Sequence, residues 1–197
     1  ELLPEDKLVF FRPSIVMGDS RWAKTSQFDM IRAFCIIADL PVVPLRPDVR
    51  LDIINADYVG KAIAHIHMKK KPKWDIYHLS SGTSSKTAQE IADALIAGRT
   101  RRRVRFVRRL ENPFSKTVDA MTLAPRKSPI ALPAALLKVF LPYITYDTVF
   151  DNHRVVTEMG SAPTAFTEYC TDLYHFAKDN KYTYPADPLP EAFRRDA

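Results

Sequence analysis

Tyr174 and Lys178 are the pair of side chains in this sequence whose types and spacing could transfer a proton. A lysine four positions after a tyrosine favours the ionised phenol, so such a pair can pass a proton to or from a carbonyl or hydroxyl oxygen. The apolar spacing from Thr164 to Ala177, however, is typical of an amphipathic helix. On that helix we expect Tyr174 to pack against the core and Lys178 to carry a solvated charge.

Three other kinds of site are excluded by spacing. A glycine-rich turn that cradles a dinucleotide pyrophosphate needs closely spaced glycines. The five glycines are never closer than sixteen positions: Gly18, Gly60, Gly82, Gly98 and Gly160. His65 and His67 would diverge by about 200° on a helix, and no cysteine or histidine group has zinc spacing. No serine lies in a G-x-S-x-G elbow.

The elements that must position any site alternate between strand and helix. An apolar run from Leu8 to Gly18, interrupted by a proline, predicts a buried strand of the parallel type that leads into a loop. Further strands are predicted at 42–45, 51–54, 76–81 and 104–107, and helices at 27–40, 57–68, 87–96, 131–140 and 164–177. Asp57 is the predicted N-cap of the second helix, and Thr87 with Glu90 forms a capping-box pattern. The alternation predicts an α/β fold.

The position of the first strand suggests that the chain is the later part of a longer protein. An interior strand needs neighbours on both sides, and this one begins eight residues from Glu1. We therefore expect its neighbours to precede Glu1, and we expect an exposed apolar sheet edge from Leu8 to Val16.

The net charge of +6 comes from one segment. Between positions 99 and 109 there are seven arginines, and without them 22 basic residues face 23 acidic ones. If this segment is a strand, Arg101, Arg103 and Arg105 share one face, and Val104 and Phe106 point inward. Such a stripe could bind phosphates or an acidic protein surface. The alternative is an edge strand that its charges protect from aggregation. Stacking aromatics are nearly absent, which argues against binding of single-stranded nucleic acid.

The remaining composition favours a reducing, cytoplasmic location. Cys35 and Cys170 lie in apolar or amphipathic surroundings, so two buried thiols are expected rather than a disulfide or a metal pair. No apolar run approaches the ~20 residues that span a bilayer. The sequence also does not begin with a secretory signal pattern.

Four segments together resemble the extended short-chain dehydrogenases/reductases, in the order and spacing of that family. The run Phe11-Arg-Pro-Ser-Ile-Val-Met-Gly-Asp19 is similar to the strand and loop that follow the active-site helix of the family. The second and third matches lie at 52–63 and 77–90, and the last covers Phe150-Asp-Asn-His-Arg and Glu158-Met-Gly160. Within the family, the local sequence resembles the fatty acyl-CoA and thioester reductase branch most. In the family the Tyr-x-x-x-Lys pair precedes the Arg-Pro-Ser strand, whereas Tyr174 follows it.

The resemblance implies the C-terminal part of a Rossmann-like reductase, without the N-terminal dinucleotide-binding half. Residues 1–181 would form the substrate-binding portion, and 182–197 would be a tail. The parent would use NADP or NAD to reduce a carbonyl or acyl-thioester substrate. This portion would be inactive alone, with no cofactor of its own and no catalytic residue. The alternative from the residues themselves is a stand-alone binding domain that uses arginines 99–109.

The resemblance also implies site residues. The backbone after the Arg-Pro pair would lie against the nicotinamide, and this carries over to Pro13, Ser14, Ile15 and Val16. Substrate-binding candidates are Ser20, Trp22, Arg46, Asn55 and Tyr58. Trp22 could cover a ligand or be a plain surface tryptophan, and Arg46 could bind an anionic group or be a loop charge. Asp52 and Asp57 are expected to serve structure. No metal site is expected.

The implied partners follow from the same reading. They are the missing N-terminal Rossmann half, the small-molecule carbonyl or acyl substrate, and either coenzyme A or an acyl carrier protein. A homodimer through the exposed sheet edge is also expected, and a membrane span is not.

Overall fold

The computed structural model describes residues 8–22, 24–97, 104–125, 128 and 131–183. The strands are β1 (Phe10–Pro13), β2 (Ile15–Val16), β3 (Val42–Val43), β4 (Arg50–Leu51), β5 (Ile53–Ile54), β6 (Ile76–Leu79), β7 (Lys86–Thr87) and β8 (Arg105–Phe106). The helices are α1 (Phe28–Asp39), α2 (Ala56–His67), α3 (Ala88–Ala97), α4 (Glu111–Met121), α5 (Ala131–Thr145), α6 (His153–Met159) and α7 (Cys170–Asp179). The predicted mixture of strands and helices is confirmed.

The two halves of the first strand each pair with one parallel neighbour. Its β1 part pairs with β6, with Phe10 opposite Ile76, and its β2 part pairs with β5, with Ile15 opposite Ile53. The partner changes at Ser14, because the Ser14 N–H bonds to β6 and the Ile15 N–H bonds to the β5 side. Both observed neighbours come from later in the chain, and each half of the strand pairs on one side only, so the expectation of further neighbours before Glu1 stays a prediction. The predicted exposed apolar edge is present in part, since Phe10 is 53% exposed.

The side chains of β2 and β5 point alternately into two clusters of the hydrophobic core. Ile15, Met17 and Ile53 face the cluster that contains α1, α3 and α7. Val16 and Ile54 face the cluster that contains α2 and α6. Successive side chains of a strand point to opposite faces, so the helices cover both sides of these strands. This arrangement explains why the run reads as continuously apolar.

The buried carboxylate of Asp52 interrupts the predicted strand 51–54. It accepts hydrogen bonds from the Ser80 hydroxyl, the Ser81 N–H at 2.9 Å and the Phe150 N–H at 3.3 Å. The backbone therefore turns between β4, which pairs antiparallel with β7, and β5, which pairs parallel with β2. The expected structural role of Asp52 is confirmed by these contacts.

The helices differ from the predictions mainly after residue 110. Helices α4 and α6 were not predicted, and the predicted helix 164–177 is a short 3-10 turn at Phe166–Glu168 followed by α7. The capping box at α3 is confirmed, since the Thr87 N–H donates to Glu90 at 2.8 Å and the Glu90 N–H donates to Thr87 Oγ1 at 3.1 Å. Both cysteines are buried and unbridged. Within the described ranges, no helix is long and apolar enough to cross a membrane.

Candidate functional site

Strands β2 and β5 run parallel, so the segments that follow them meet at one edge. Ligands of open α/β sheets bind at the carboxyl ends of the strands. Gly18 turns the chain after β2 with φ +71°, and its carbonyl accepts a hydrogen bond of 2.7 Å from the Ala56 N–H at the start of α2. The loop at 18–22 is thereby tied to the first turn of α2.

Asp57 holds this loop in place. Its carboxylate, 5% exposed, accepts from the Ser20 N–H at 3.0 Å, from the Ser20 hydroxyl at 3.1 Å and from Asn55 Nδ2 at 2.7 Å. Arg21 and Lys61 approach it to 3.8 and 3.6 Å. Burial raises the pKa of Asp57, but the hydrogen bonds from Asn55 and Ser20 outweigh burial, so the pKa lies below its ordinary value. The carboxylate therefore stays charged at neutral pH.

The predicted cap position of Asp57 is corrected by the structure. The N-cap of α2 is Asn55, and Asp57 is the second helical residue. The Gly18 carbonyl already binds the first helical N–H, so the carboxylate turns to the loop instead of to its own helix. Asp57 acts as an anchor between elements, and neither it nor Asn55 caps the helix with its side chain.

The side chain of Asn55 has one hydrogen-bond acceptor at this edge that no described donor reaches. The side chain is 1% exposed, and its amide nitrogen donates to Asp57 and, at 3.3 Å, to the Ser20 hydroxyl. The amide oxygen Oδ1 is buried and has no hydrogen-bond partner among the residues that the structure describes. A buried unpartnered acceptor costs free energy, so this oxygen would gain from a donor N–H or O–H of a ligand. The structure thus brings together Ser20 and Asn55, two of the five substrate-binding candidates.

Trp22 lies at the end of the same loop. It is 66% exposed, and the Arg21 guanidinium lies 5.9 Å from the centroid of its ring. Asp19 holds Arg21 by a hydrogen bond of 2.9 Å. Both readings of Trp22, as a ligand cover or as a surface residue, therefore stay open.

Tyr58 and Arg46 bind other parts of the chain. The Tyr58 hydroxyl donates to the Ser161 carbonyl at 2.7 Å, and burial raises its pKa to about 12. Arg46 binds Asp48 at 2.8 Å and approaches Asp147 to 3.7 Å.

The cofactor-binding candidates lie where the first strand changes partner. Pro13 ends β1, Ile15 and Val16 form β2, and Ser14 links them with its N–H bonded to the Leu79 carbonyl at 2.9 Å. The Ser14 hydroxyl is buried without a hydrogen-bond partner in the described part of the chain. Like Asn55, it has an unused capacity for a polar ligand.

The arginine segment is described in part. Arg99 to Arg103 lie outside the described residues, so the predicted stripe is not tested at those positions. Arg105 is exposed on β8, whereas Phe106 packs against the core, and β8 pairs parallel with β3. Arg108 and Arg109 belong to a 3-10 turn that follows the strand. Among the described residues there is no group of three or more potential metal ligands.

This chain is similar to solved structures in its fold. No family model and no curated protein matches the sequence. The crystal structure of the terminal R domain from the myxalamid PKS-NRPS biosynthetic pathway matches with a TM-score of 0.61 at 18% identity, over 87% of this chain and 43% of that chain. A second structure, gox2253, matches with a TM-score of 0.47 at 16% identity, over 89% of this chain and 50% of that one.

The first likeness shows a shared fold. This chain spans less than half of the length of that R domain. The chain therefore has a mixed α/β fold with small sheets, similar in its architecture to part of that R domain.

Proposed function

We propose that this chain is the substrate-domain portion of an NAD(P)-dependent reductase that acts on a carbonyl or acyl-thioester substrate. The observation that carries the proposal is the fold shared with the R domain over 87% of this chain. The polar edge, formed by Ser20, Asn55 and Asp57 at the ends of β2 and β5, supports the proposal. Open α/β sheets bind ligands at the carboxyl ends of their strands.

Each part of the edge has a role in this proposal. The Ser14 hydroxyl and the backbone of Pro13, Ile15 and Val16 would contact the nicotinamide, and the unused hydrogen-bonding capacity of Ser14 fits a polar group there. When bound, the reduced nicotinamide supplies the hydride. Asn55 Oδ1 would accept a hydrogen bond from the substrate, and the loop at 18–22, anchored by Asp57, would form one wall of the pocket.

The chain does not supply all that the reaction needs. Its glycines are too far apart to form a turn around the pyrophosphate. We therefore propose that the dinucleotide is held mainly by an N-terminal Rossmann portion of the parent protein, and that the isolated chain is inactive.

Binding of reduced nicotinamide tests this proposal. The full natural gene product that contains this chain is titrated with NADPH and NADH, followed by the fluorescence of the nicotinamide, and the isolated chain is titrated beside it. We expect saturable binding by the full product and none by the chain. If the full product binds neither dinucleotide, the reductase proposal fails.

A substitution at the loop tests the substrate side. Ser20→Ala removes a hydroxyl that bonds to Asp57 and Asn55, and we expect a higher KM for the carbonyl substrate with the dinucleotide affinity unchanged. The matched control is Ser26→Ala, an exposed serine outside this network. If both variants behave alike, the loop is not part of the substrate pocket.

The binding-domain alternative gives the opposite pattern. It predicts no dinucleotide binding, together with an affinity for heparin or another polyanion that falls steeply with added salt. The exposed Arg105 is the described residue at which that interaction would be tested, by Arg105→Gln.

A further inference from the structure

An apolar cavity of about 90 Å³ lies between the strands and the helices α1, α3 and α5. Its wall extends from Ile15 and Met17, beside β2, to Phe106 of β8. Tyr143 of α5 also lines it and is 61% exposed, so the cavity reaches solvent beside this ring. Apart from that tyrosine, every described lining side chain is alanine, valine, leucine, isoleucine, methionine or phenylalanine.

The apolar lining determines which kind of ligand the cavity can bind. Apolar cavities stay dry, because a water molecule inside needs two to four polar partners. A polar or charged group would lose its hydration without gaining hydrogen bonds from these side chains. An alkyl group would instead gain about 0.8 kcal/mol for each buried methylene.

The volume limits how much of an alkyl group fits. An engineered cavity of about 150 Å³ in another protein binds one benzene molecule. The cavity here has about 90 Å³, so it has room for the end of a straight chain, a few carbon atoms long. A long chain would have to continue past Tyr143 into solvent.

The cavity and the polar edge share strand β2. Ile15 and Met17 face the cavity, and Gly18 and Ser20, next along the chain, lead into the cluster around Asp57. A ligand with an apolar end and a polar end that offers an N–H or O–H to Asn55 Oδ1 matches this order of surfaces. We propose that the cavity binds the aliphatic end of the substrate, a straight chain of a few carbons, an inference that rests on the proposed reductase function for the nature of the polar end.

Binding of straight-chain alcohols tests the cavity without the cofactor. The full gene product is titrated by calorimetry, with nicotinamide omitted, against a homologous series of n-alkyl alcohols. We expect the affinity to rise about fourfold for each added methylene and to level off after about four carbons. An affinity that does not depend on chain length would overturn the proposal.

A variant whose side chain fills the cavity gives the decisive test. Ala92 lines the cavity on α3, and Ala92→Leu places three further carbons there. Filling a cavity often stabilises a protein, so this variant should fold. We expect it to weaken alcohol binding at least tenfold, whereas Ala64→Leu, at an exposed position of α2, leaves it unchanged. Equal binding by the two variants would place the alcohols elsewhere.

Steady-state kinetics separate this inference from the proposed function. For an active reductase, the cavity predicts that kcat/KM rises with the chain length of an aldehyde series in the native protein, and that Ala92→Leu removes this rise. If the protein is a reductase and Ala92→Leu has no effect on the series, the cavity inference fails alone. If alcohols bind as described but no carbonyl compound is reduced, the cavity is a hydrocarbon site and the reductase proposal fails alone.

Discussion

The Tyr174 hydroxyl donates a hydrogen bond of 2.5 Å to the carboxylate of Asp39. Lys178 forms an ion pair with the other oxygen of the same carboxylate. Tyr174 and Lys178 lie on α7 and Asp39 is the last residue of α1, so the three side chains fasten two helices of one core cluster together. This geometry supports the structural reading of the Tyr-x-x-x-Lys sequence.

Removal of the Tyr174 hydroxyl tests that reading. Tyr174 is 5% exposed, and Tyr174→Phe leaves the Asp39 carboxylate with one fewer donor. We expect a loss of about 1.5–3 kcal/mol in the free energy of unfolding, typical of a hydrogen bond to a charged group, measured by urea denaturation. The control is Tyr146→Phe, which removes a hydroxyl from a side chain that is 71% exposed. A Tyr174→Phe protein with native stability but no reductase activity would instead show that the hydroxyl is catalytic.

The anchor at Asp57 predicts a dependence of stability on pH. The pKa of its carboxyl in the folded chain lies below the ordinary value of 3.8. The charged form therefore stabilises the fold above the unfolded pKa, and this contribution is lost as the pH falls through the folded pKa.

Asp57→Asn should remove this contribution. We expect the variant to be less stable than the native chain at neutral pH, and the difference in unfolding free energy to shrink as the pH falls below about 4. The control is Asp75→Asn, an exposed loop carboxylate. A difference that is constant across the acid range would show that the charge of Asp57 contributes nothing to stability.

Two glycines should respond to substitution in opposite directions. Gly60 lies in α2, and an added Cβ would meet no atom within 4 Å apart from its chain neighbours and its own helix backbone, so Gly60→Ala should raise the free energy of unfolding by about 0.5–1 kcal/mol. Gly18 has φ +71°, and an added Cβ would lie 2.6 Å from Cδ2 of Leu173. Gly18→Ala should therefore cost more than about 1 kcal/mol, and thermal denaturation of the pair measures both effects. A stabilising effect at Gly18 would contradict a positive φ angle at this position.

The sequence predicted the elements with strong local signals. Thr87 and Glu90 form the capping box that their spacing indicates, and the helix predicted from residue 27 to 40 is observed as α1. These features depend on residues close together in the chain, so periodicity and capping preferences suffice to predict them.

Contacts distant in sequence could not be predicted in the same way. The interruption of the predicted strand 51–54 at Asp52 depends on hydrogen bonds from Ser80 and Phe150. The apolar cavity is formed by parts of the chain from Ile15 to Ile144. For the site, the resemblance named Ser20 and Asn55 as substrate-binding candidates, and the structure brings the two side chains together. Nothing in the sequence indicates that Asn55 Oδ1 is left without a partner among the described residues. That property depends on where the Asn55 amide nitrogen finds its acceptors.

The transfer of hydrogen from the cofactor to a carbonyl carbon tests the chemical step of the proposed reductase function. The full natural gene product is incubated with an aldehyde or acyl thioester and with reduced nicotinamide that carries deuterium at the transferring carbon. We expect mass spectrometry to find deuterium on the former carbonyl carbon of the product, and we expect Ser20→Ala to lower the yield at limiting substrate. A product without deuterium, or no product with either class of substrate, would contradict it.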